Sequence, residues 1–275
     1  MKAELYMPEP VKLVGVRRET PSIRTFSLVP ERPFRFEAGQ FVEVCLPGVG
    51  EAPFTPSSSP SETERIDLTV MNVGRVTAAL HALEVGHRLG LRGPLGKPYP
   101  LERFRGKEVL IVGGGVGLAP LRALLYALLG QKDRYARIVV RYGARTPADI
   151  VFRREIEEKW KREAGLDVLV SVDEGDESWG GPVGVVTTIL EQEHLRCDPA
   201  GGVAVVCGPP VMMKFSTLKL LDLGYTPDRI FLSMEKNMSC GVGKCGHCRI
   251  GIYHACKDGP VFSFDQVKDY PDVWD

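Results

Sequence analysis

Four cysteines near the C-terminal end carry the most specific chemistry in this sequence. Cys240, Cys245, Cys248 and Cys256 follow the spacing C-x4-C-x2-C-x7-C. Three thiolates on one short loop, with a fourth further along, is how plant-type [2Fe–2S] sites are held. Gly241, Gly243 and Gly246 lie between the first three. Such residues let the backbone wrap closely and point its N–H groups at cluster sulfur. Two other readings compete. Zinc sites use paired C-x2-4-C knuckles, and only Cys245–Cys248 has that form closely. Disulfides belong to oxidising compartments, which nothing else in the chain suggests. His247 sits inside the loop and reads as solvated or bonded to backbone, because four thiols already complete the site.

A second chemical stretch is Gly113-Gly114-Gly115-Val116-Gly117-Leu118-Ala119-Pro120. It follows the continuous apolar run Glu108–Val112 and precedes an apolar helical pattern, Leu121–Leu129, that stops at Gly130. Strand, glycine turn and helix form the setting of a dinucleotide site, where backbone and helix end meet a pyrophosphate. The form is G-x-G-x-G-x-A-P rather than G-x-G-x-x-G. After the next strand comes Arg145, with no acid to hold a ribose 2′-hydroxyl. Arg145 reads equally as a 2′-phosphate partner and as a surface charge, so NAD versus NADP stays open. Cys207-Gly208-Pro209-Pro210 ends another strand on the same edge.

Two weaker signals lie in the first hundred residues. Pro53-Phe54-Thr55, followed by Ser57, Ser58 and Ser59, offers a ring to stack on a flat cofactor and hydroxyls to donate to its edge. Alone, such a Pro- and Ser-rich stretch is more often a plain loop. Gly74-Arg75-Val76-Thr77 opens a short helix, through Leu83, whose first N–H groups favour a phosphate. The same residues also suit an ordinary helix covering a barrel end.

The elements that must position these residues fall into two patterns. From Val11 to about Arg105, short strands are expected at Val11–Val16, Ile23–Leu28, Gln40–Leu46, Ile66–Val70 and His87–Arg92. Prolines and glycines break them, which is the mark of a small antiparallel barrel or sandwich. Pro98–Arg105 reads as a linker. Beyond it, strands at Glu108–Val112, Arg137–Tyr142, Leu166–Val172, Val203–Val206 and Ile230–Leu232 alternate with helices. Those helices are Leu121–Leu129, one opening at Thr146 and running to about Glu163, Val185–Gln192 and Met212–Leu223. Thr146 is expected to cap the second, with Asp149 reaching back. That alternation means a doubly wound parallel sheet, with ligands beyond the carboxyl ends of its strands.

The totals exclude several functions. Lys+Arg 35 against Asp+Glu 35 gives a net charge of +0, so nucleic acid and anionic membrane have no electrostatic claim. No run approaches the ~18 apolar residues of a membrane span. Met1–Leu13, with Lys2, Glu4, Glu9 and Lys12, has no apolar core of signal-peptide length. Cys45, Cys197 and Cys207 read as buried free thiols in a reducing, cytoplasmic setting. No Ser/His/Asp or paired-carboxylate arrangement stands out.

The order of these features resembles the ferredoxin–NADP reductase superfamily, in the branch with a C-terminal [2Fe–2S] cluster. That branch includes gamma subunits of cytoplasmic [NiFe] sulfhydrogenases, the corresponding subunit of anaerobic sulfite reductase and the electron-transfer subunit of dihydroorotate dehydrogenase B. Ser233-Met-Glu-Lys-Asn-Met-Ser-Cys240 through Cys256-Lys-Asp-Gly-Pro-Val-Phe262 is most similar to the sulfhydrogenase gamma type. The resemblance implies an antiparallel β-barrel FAD domain over 1–105. An α/β doubly wound NAD(P)-binding domain follows over 106–233, then a small [2Fe–2S] module over 234–275. It implies that Phe54 faces the isoalloxazine and Thr55 bonds near its N5. Pro53 lies beside them, and Gly74, Arg75, Val76 and Thr77 hold the pyrophosphate. Gly113, Gly114, Gly115, Gly117 and Pro120 would hold NAD(P)H, with Cys207, Gly208 and Pro209 near the nicotinamide. Thr55 and Cys207 are the candidate catalytic residues; a packed thiol at a strand end is the other reading of Cys207. The superfamily's flavin loop is Arg-x-Tyr-Ser, and its arginine is Ala52 here, so Arg75 or backbone must carry more of the phosphate charge. Electrons are expected to pass between NAD(P)H, FAD, the cluster and partner redox subunits of a hetero-oligomeric complex. The rivals are a zinc-stabilised NAD(P)H sensor and a stand-alone flavin reductase with a vestigial cluster.

Overall fold

The computed structural model describes residues 6–191, 195 and 197–274. Lys2 and Glu4 of the N-terminal stretch, and Gln192 of the expected helix Val185–Gln192, lie outside them.

The first half is one six-stranded antiparallel sheet. Its strands are β1 (Glu9–Arg18), β2 (Ile23–Pro30), β3 (Phe41–Leu46), β4 (Gly50–Phe54), β5 (Ile66–Met71) and β6 (Arg88–Leu95), in the order β4-β3-β6-β1-β2-β5. A bridge from Pro56 to Leu68 draws the two edges together, so the sheet curls on itself. Alternating residues fill the inside: Leu13, Phe26, Leu28, Val42, Val44, Ile66, Leu68 and Leu91 are all buried. Strand β4 departs from the sequence expectation, because Pro53 breaks the apolar alternation. It survives at the sheet edge, where a proline need not donate outward. The helix α1 (Arg75–His81) plugs one end with Thr77 and Leu80.

The second half is a sheet of β7 (Glu108–Gly114), β8 (Arg137–Ala144), β9 (Leu166–Val172), β10 (Val203–Cys207) and β11 (Ile230–Ser233), all parallel. The order is β14-β11-β10-β7-β8-β9, with β14 (Val261–Ser263) antiparallel at the edge. The chain runs outward from β7 through β8 and β9, then returns to β10 on the other side. The topological switch therefore lies between β7 and β10, where Gly113 pairs with Cys207. Strand β14 comes from the C-terminal segment, so that segment completes the second sheet by hydrogen bonding. Two short strands of the same segment, β12 (Arg249–Ile250) and β13 (Tyr253–His254), pair with each other.

Three helices differ from expectation. The helix α2 (Leu118–Leu129) starts earlier, because Pro120 falls in the first turn, where a missing N–H costs nothing. The long helix from Thr146 to Glu163 is broken. Its pieces are a 3-10 turn at Pro147–Asp149, the helix α3 (Arg153–Glu158) and a second turn at Trp160–Arg162. Phe152, at φ 55, interrupts it so that the rings of Phe152 and Trp160 can both be buried. Thr146 Oγ1 donates to Asp149 Oδ2 at 2.7 Å instead of capping backbone. Val185–Gln192 is reduced to a 3-10 turn, Val186–Leu190. The helix α4 (Pro210–Asp222) follows β10. Among the described residues, no helix is long and apolar enough to cross a membrane.

Phe262 on β14 is 2% exposed, and its ring packs against Tyr253 with centroids 5.6 Å apart. Phe262→Ala should cost about 3–5 kcal/mol by leaving a cavity between the sheet and the cysteine segment. Urea unfolding of the two proteins measures it.

Candidate functional site

The carboxyl ends of β7 and β10 bring the glycine turn and Cys207-Gly208-Pro209 together. A Cβ on Gly117 would lie 2.6 Å from the Cys207 carbonyl oxygen and 2.7 Å from Gly208 Cα. Both are backbone atoms that cannot move aside, so only glycine lets the two turns meet. Gly113 and Gly114 end β7, Gly115 turns away, and Pro120 lies in the first turn of α2. Met212 Sδ packs against Gly114 and Gly208, a contact that its reading as a helix start does not reveal. Arg145 lies beyond the end of β8, near Asp173, whose carboxyl burial raises above the usual range against the pull of Arg145.

Cys207 is buried, and burial pushes its thiol up to about 12; Ser233 favours the thiolate and Glu235 opposes it. It is therefore a neutral thiol at working pH. Tyr99, from the segment read as a linker, is 3% exposed and stands near it. That segment docks on the second sheet, and Phe104 is fully buried against Phe231.

Pro53, Phe54 and Thr55 lie at the end of β4, half-buried, with Phe54 paired to Val42 and Ala52 to Val44. The following residues are fastened to β5. Ser57 Oγ donates to the Asp67 carbonyl at 3.1 Å and lies 2.8 Å from Thr69 Oγ1. Ser58 Oγ accepts from the Asp67 N–H at 3.1 Å. At α1, the Thr77 hydroxyl accepts from the Val73 and Gly74 N–H groups at 3.0 and 2.8 Å. That hydroxyl is thus engaged in shaping the turn. Arg75 reaches across to donate to the Val49 carbonyl, beside Gly50. Val76 lies in the same turn.

The four C-terminal cysteines converge as two pairs. Cys248 and Cys256 are both 1% exposed, with sulfurs 3.3 Å apart. Cys240 lies within hydrogen-bonding reach of the Cys245 side chain. The loop amides aim at sulfur: Val242 and Lys244 donate to Cys240 Sγ at 3.4 and 3.3 Å, and Gly243 donates to Cys256 Sγ at 3.0 Å. Burial works against a Cys240 thiolate, yet the amides of Val242, Cys245 and Lys244 outweigh it and bring the thiol down to about 6. Burial and the neighbouring Cys248 push Cys256 up to about 12. Among the described residues no three His, Cys, Asp or Glu side chains gather to hold one metal ion. Paired thiols with amide donors fit a group carrying sulfide and more than one iron. His247 Nδ1 bonds the Ser239 hydroxyl at 2.7 Å, a side-chain partner rather than the solvent or backbone expected.

Gly241, at φ 71, lays this loop on the first sheet. A Cβ there would lie 2.9 Å from Leu95 Cδ1 and 3.3 Å from Glu43 Oε1. Sequence patterning missed Glu43, since it occupies the polar half of an alternating strand. It is 1% exposed, opposite Pro53 on one side and Arg92 on the other. Its Oε1 has no hydrogen-bond partner among the described residues. Burial raises its carboxyl to about 7, against the pull of Arg92 and with the push of Glu51 and Cys240.

Three family descriptions match in chain order: an oxidoreductase FAD-binding domain over 10–99, an oxidoreductase NAD-binding domain over 111–217, and the iron–sulfur cluster binding domain of dihydroorotate dehydrogenase B over 235–268. The sulfhydrogenase 2 subunit gamma of Pyrococcus furiosus is 36% identical, covering 94% of this chain and 96% of its own. A probable dihydroorotate dehydrogenase B (NAD(+)) electron-transfer subunit from Methanocaldococcus jannaschii is 33% identical, covering 95% and 93%. The solved structure of an NADH-dependent reduced ferredoxin-NADP oxidoreductase superposes with a TM-score of 0.77 at 27% identity, covering 96% and 91%.

Glu43 sets a pH dependence. The unfolded carboxyl titrates near 4.5 and the folded one near 7, so the native state holds the proton more tightly. Its stabilising contribution is full below about 4.5 and is lost as pH rises through about 7. Glu43→Gln should therefore stabilise the fold in alkali relative to the parent, by a few kcal/mol at about 1.4 kcal/mol per tenfold change in proton affinity. Denaturant midpoints at about pH 5 and about pH 8.5 should diverge only at the higher value.

Proposed function

The chain belongs to the ferredoxin reductase-like FAD/NAD-binding electron-transfer subunits that carry an iron–sulfur-binding domain, and from that premise we propose the following division of labour. Residues 1–105 hold FAD, 106–233 hold NAD(P)H, and 234–275 hold a [2Fe–2S] cluster on Cys240, Cys245, Cys248 and Cys256. The partner is a set of redox subunits in a cytoplasmic hetero-oligomer, a [NiFe] hydrogenase or sulfhydrogenase being the reading favoured by the gamma-subunit relatives. Dihydroorotate dehydrogenase B is the second reading, favoured by the electron-transfer subunits that also match.

The observation that carries this proposal is the seating of the cysteine loop on the β3–β6 face beside the β4 strand. It leaves no separate layer between the flavin sheet and the cluster thiols. When bound, FAD supplies the exchange between a two-electron hydride from NAD(P)H, which leaves as NAD(P)+, and single electrons for the cluster. The chain's own residues do the rest. Thr55 would donate a hydrogen bond at the flavin edge, and Phe54 would cover a ring face. Arg75 and the backbone from Gly74 to Thr77 would offset pyrophosphate charge where Ala52 leaves no arginine. The turn Gly113–Gly117, with Pro120 in the following helix, would admit the dinucleotide. Arg145, beyond the end of β8, would pair with a 2′-phosphate if the dinucleotide carries one. Cys207, Gly208 and Pro209 would shape the nicotinamide side, with Cys207 neutral and therefore no base. The loop amides at Cys240 and Cys256 would donate to sulfur and raise the cluster's potential.

Anaerobically purified protein should contain about two irons and two acid-labile sulfides per chain, with one FAD. NAD(P)H should bleach the flavin band. Cys256→Ser should lose the iron while keeping NAD(P)H-dependent flavin bleaching. Zinc without sulfide, or a flavin indifferent to NAD(P)H, would contradict the proposal.

A further inference from the structure

Arg122 is the one charge on the buried face of α2, and it is 7% exposed. Three of its guanidinium N–H groups are engaged. Nε and Nη2 donate to Glu155 Oε2 and Oε1 at 2.7 Å each, and Nη1 donates to the Ser57 carbonyl at 2.6 Å. Asp67 Oδ2 lies 3.8 Å from Nη1. The rings of Tyr126 and Phe152 lie 5.0 and 4.9 Å from the guanidinium carbon. Tyr126 also donates to Glu155 Oε2 at 2.8 Å.

The placement matters more than the bonds. Helix α2 grows out of the glycine turn, whereas Ser57 stands two residues beyond Thr55 in the first sheet. Ser57 is fully buried and pinned to Asp67 and Thr69. Arg122 thus spans the seam between the two sheets at backbone level. A second link runs from the turn itself. The Tyr142 hydroxyl donates to the Gly115 carbonyl at 3.1 Å and accepts from the Val151 N–H at 3.3 Å. The next residue is Phe152, the only non-glycine at positive φ among the described residues. Backbone strain of that kind costs roughly 1–3 kcal/mol and persists where surrounding contacts over-determine it. Here it turns the chain so that one ring and Glu155 both meet Arg122.

A buried ion pair is an expensive way to stabilise a seam, since desolvation can exceed the Coulombic gain and apolar packing does as well. What the planar fork supplies is fixed geometry in three directions, which a lysine cannot reproduce. We propose that Arg122 is a positioning residue that sets the spacing between the dinucleotide turn and the flavin-contacting loop, and hence the approach of the two rings. This rests on the assignment of Pro53–Thr55 to FAD and Gly113–Gly117 to NAD(P)H.

The experiment is anaerobic stopped-flow reduction of the bound flavin by NAD(P)H in the FAD-loaded protein. It compares the parent with Arg122→Lys, Arg122→Gln and Tyr126→Phe. Misplacement by about an ångström can cost up to about a hundredfold in rate. The limiting rate per bound flavin should fall by about tenfold or more in Arg122→Lys and Arg122→Gln, while the half-saturating NAD(P)H concentration moves by less than about threefold. Tyr126→Phe, which loosens only the support of Glu155, should give a smaller fall in the same sense. If Arg122→Gln does not fold, the other two decide. A merely structural role would lower the melting temperature and flavin content but leave the limiting rate per bound flavin unchanged. That result overturns the inference. A parent protein whose flavin is not bleached at all overturns the proposed function instead, and this inference with it.

Discussion

The contact between the cysteine loop and the flavin-side sheet is the constraint on which the rest depends. Gly241 lies against Leu95 and Glu43 so closely that a side chain there would collide. Electron exchange between cofactors falls off with distance, so a loop seated directly on that sheet suits exchange with a flavin bound there. Two features C-terminal to β11 support this seating. Strand β14 adds to the nucleotide sheet, and the Lys97 N–H donates to the Gly259 carbonyl, tying the cysteine segment to the chain just past β6. The loop is thereby held between the two halves, with Cys248 and Cys256 inward and Cys245 at the surface.

The other constraint is the switch between β7 and β10. Opposite directions of winding on either side leave a crevice at Gly113 and Cys207, and helix ends point toward it. Gly117 closes the gap between the two turns by having no side chain. The crevice faces the barrel through Tyr99 and the segment around Phe104, which bury themselves against the second sheet. One seam therefore receives the glycine turn, the neutral Cys207 and the loop after Thr55, and Arg122 bridges it. The division into two sheets is a division of cofactors, and the seam is where they would exchange electrons.

The parts of this arrangement legible in the sequence are those written in local pattern. The cysteine spacing and the glycine turn between Val112 and Leu118 each depend on neighbours a few residues away, whereas Phe41–Leu46 reads as a half-buried alternating strand and is buried on both faces. Strand β9 is legible to the residue, since its apolar run ends at clear turn signals. What local pattern does not reveal is decided by distant partners. Strand β4 is a strand because β3 lies beside it, despite Pro53. The helix expected to run from Thr146 to Glu163 breaks at Phe152, because a buried ring outweighs helix continuity. Glu43 and Arg122 look like ordinary polar positions in sequence. Their meaning comes from Gly241, nearly two hundred residues on, and from Ser57, on the opposite sheet. An arginine in the middle of the apolar run Leu118–Leu129 is the one available signal for the latter.

Charge should reach the cysteine-bound cluster by way of the flavin and by no other route. Low-temperature electron paramagnetic resonance of the cluster, after anaerobic addition of limiting NAD(P)H, tests it most directly when FAD-loaded and FAD-stripped protein are compared. The reduced-cluster signal should appear in the loaded protein and be absent from the stripped one, returning on adding FAD. A cluster reduced equally well without flavin, or never reduced with it, would contradict the account.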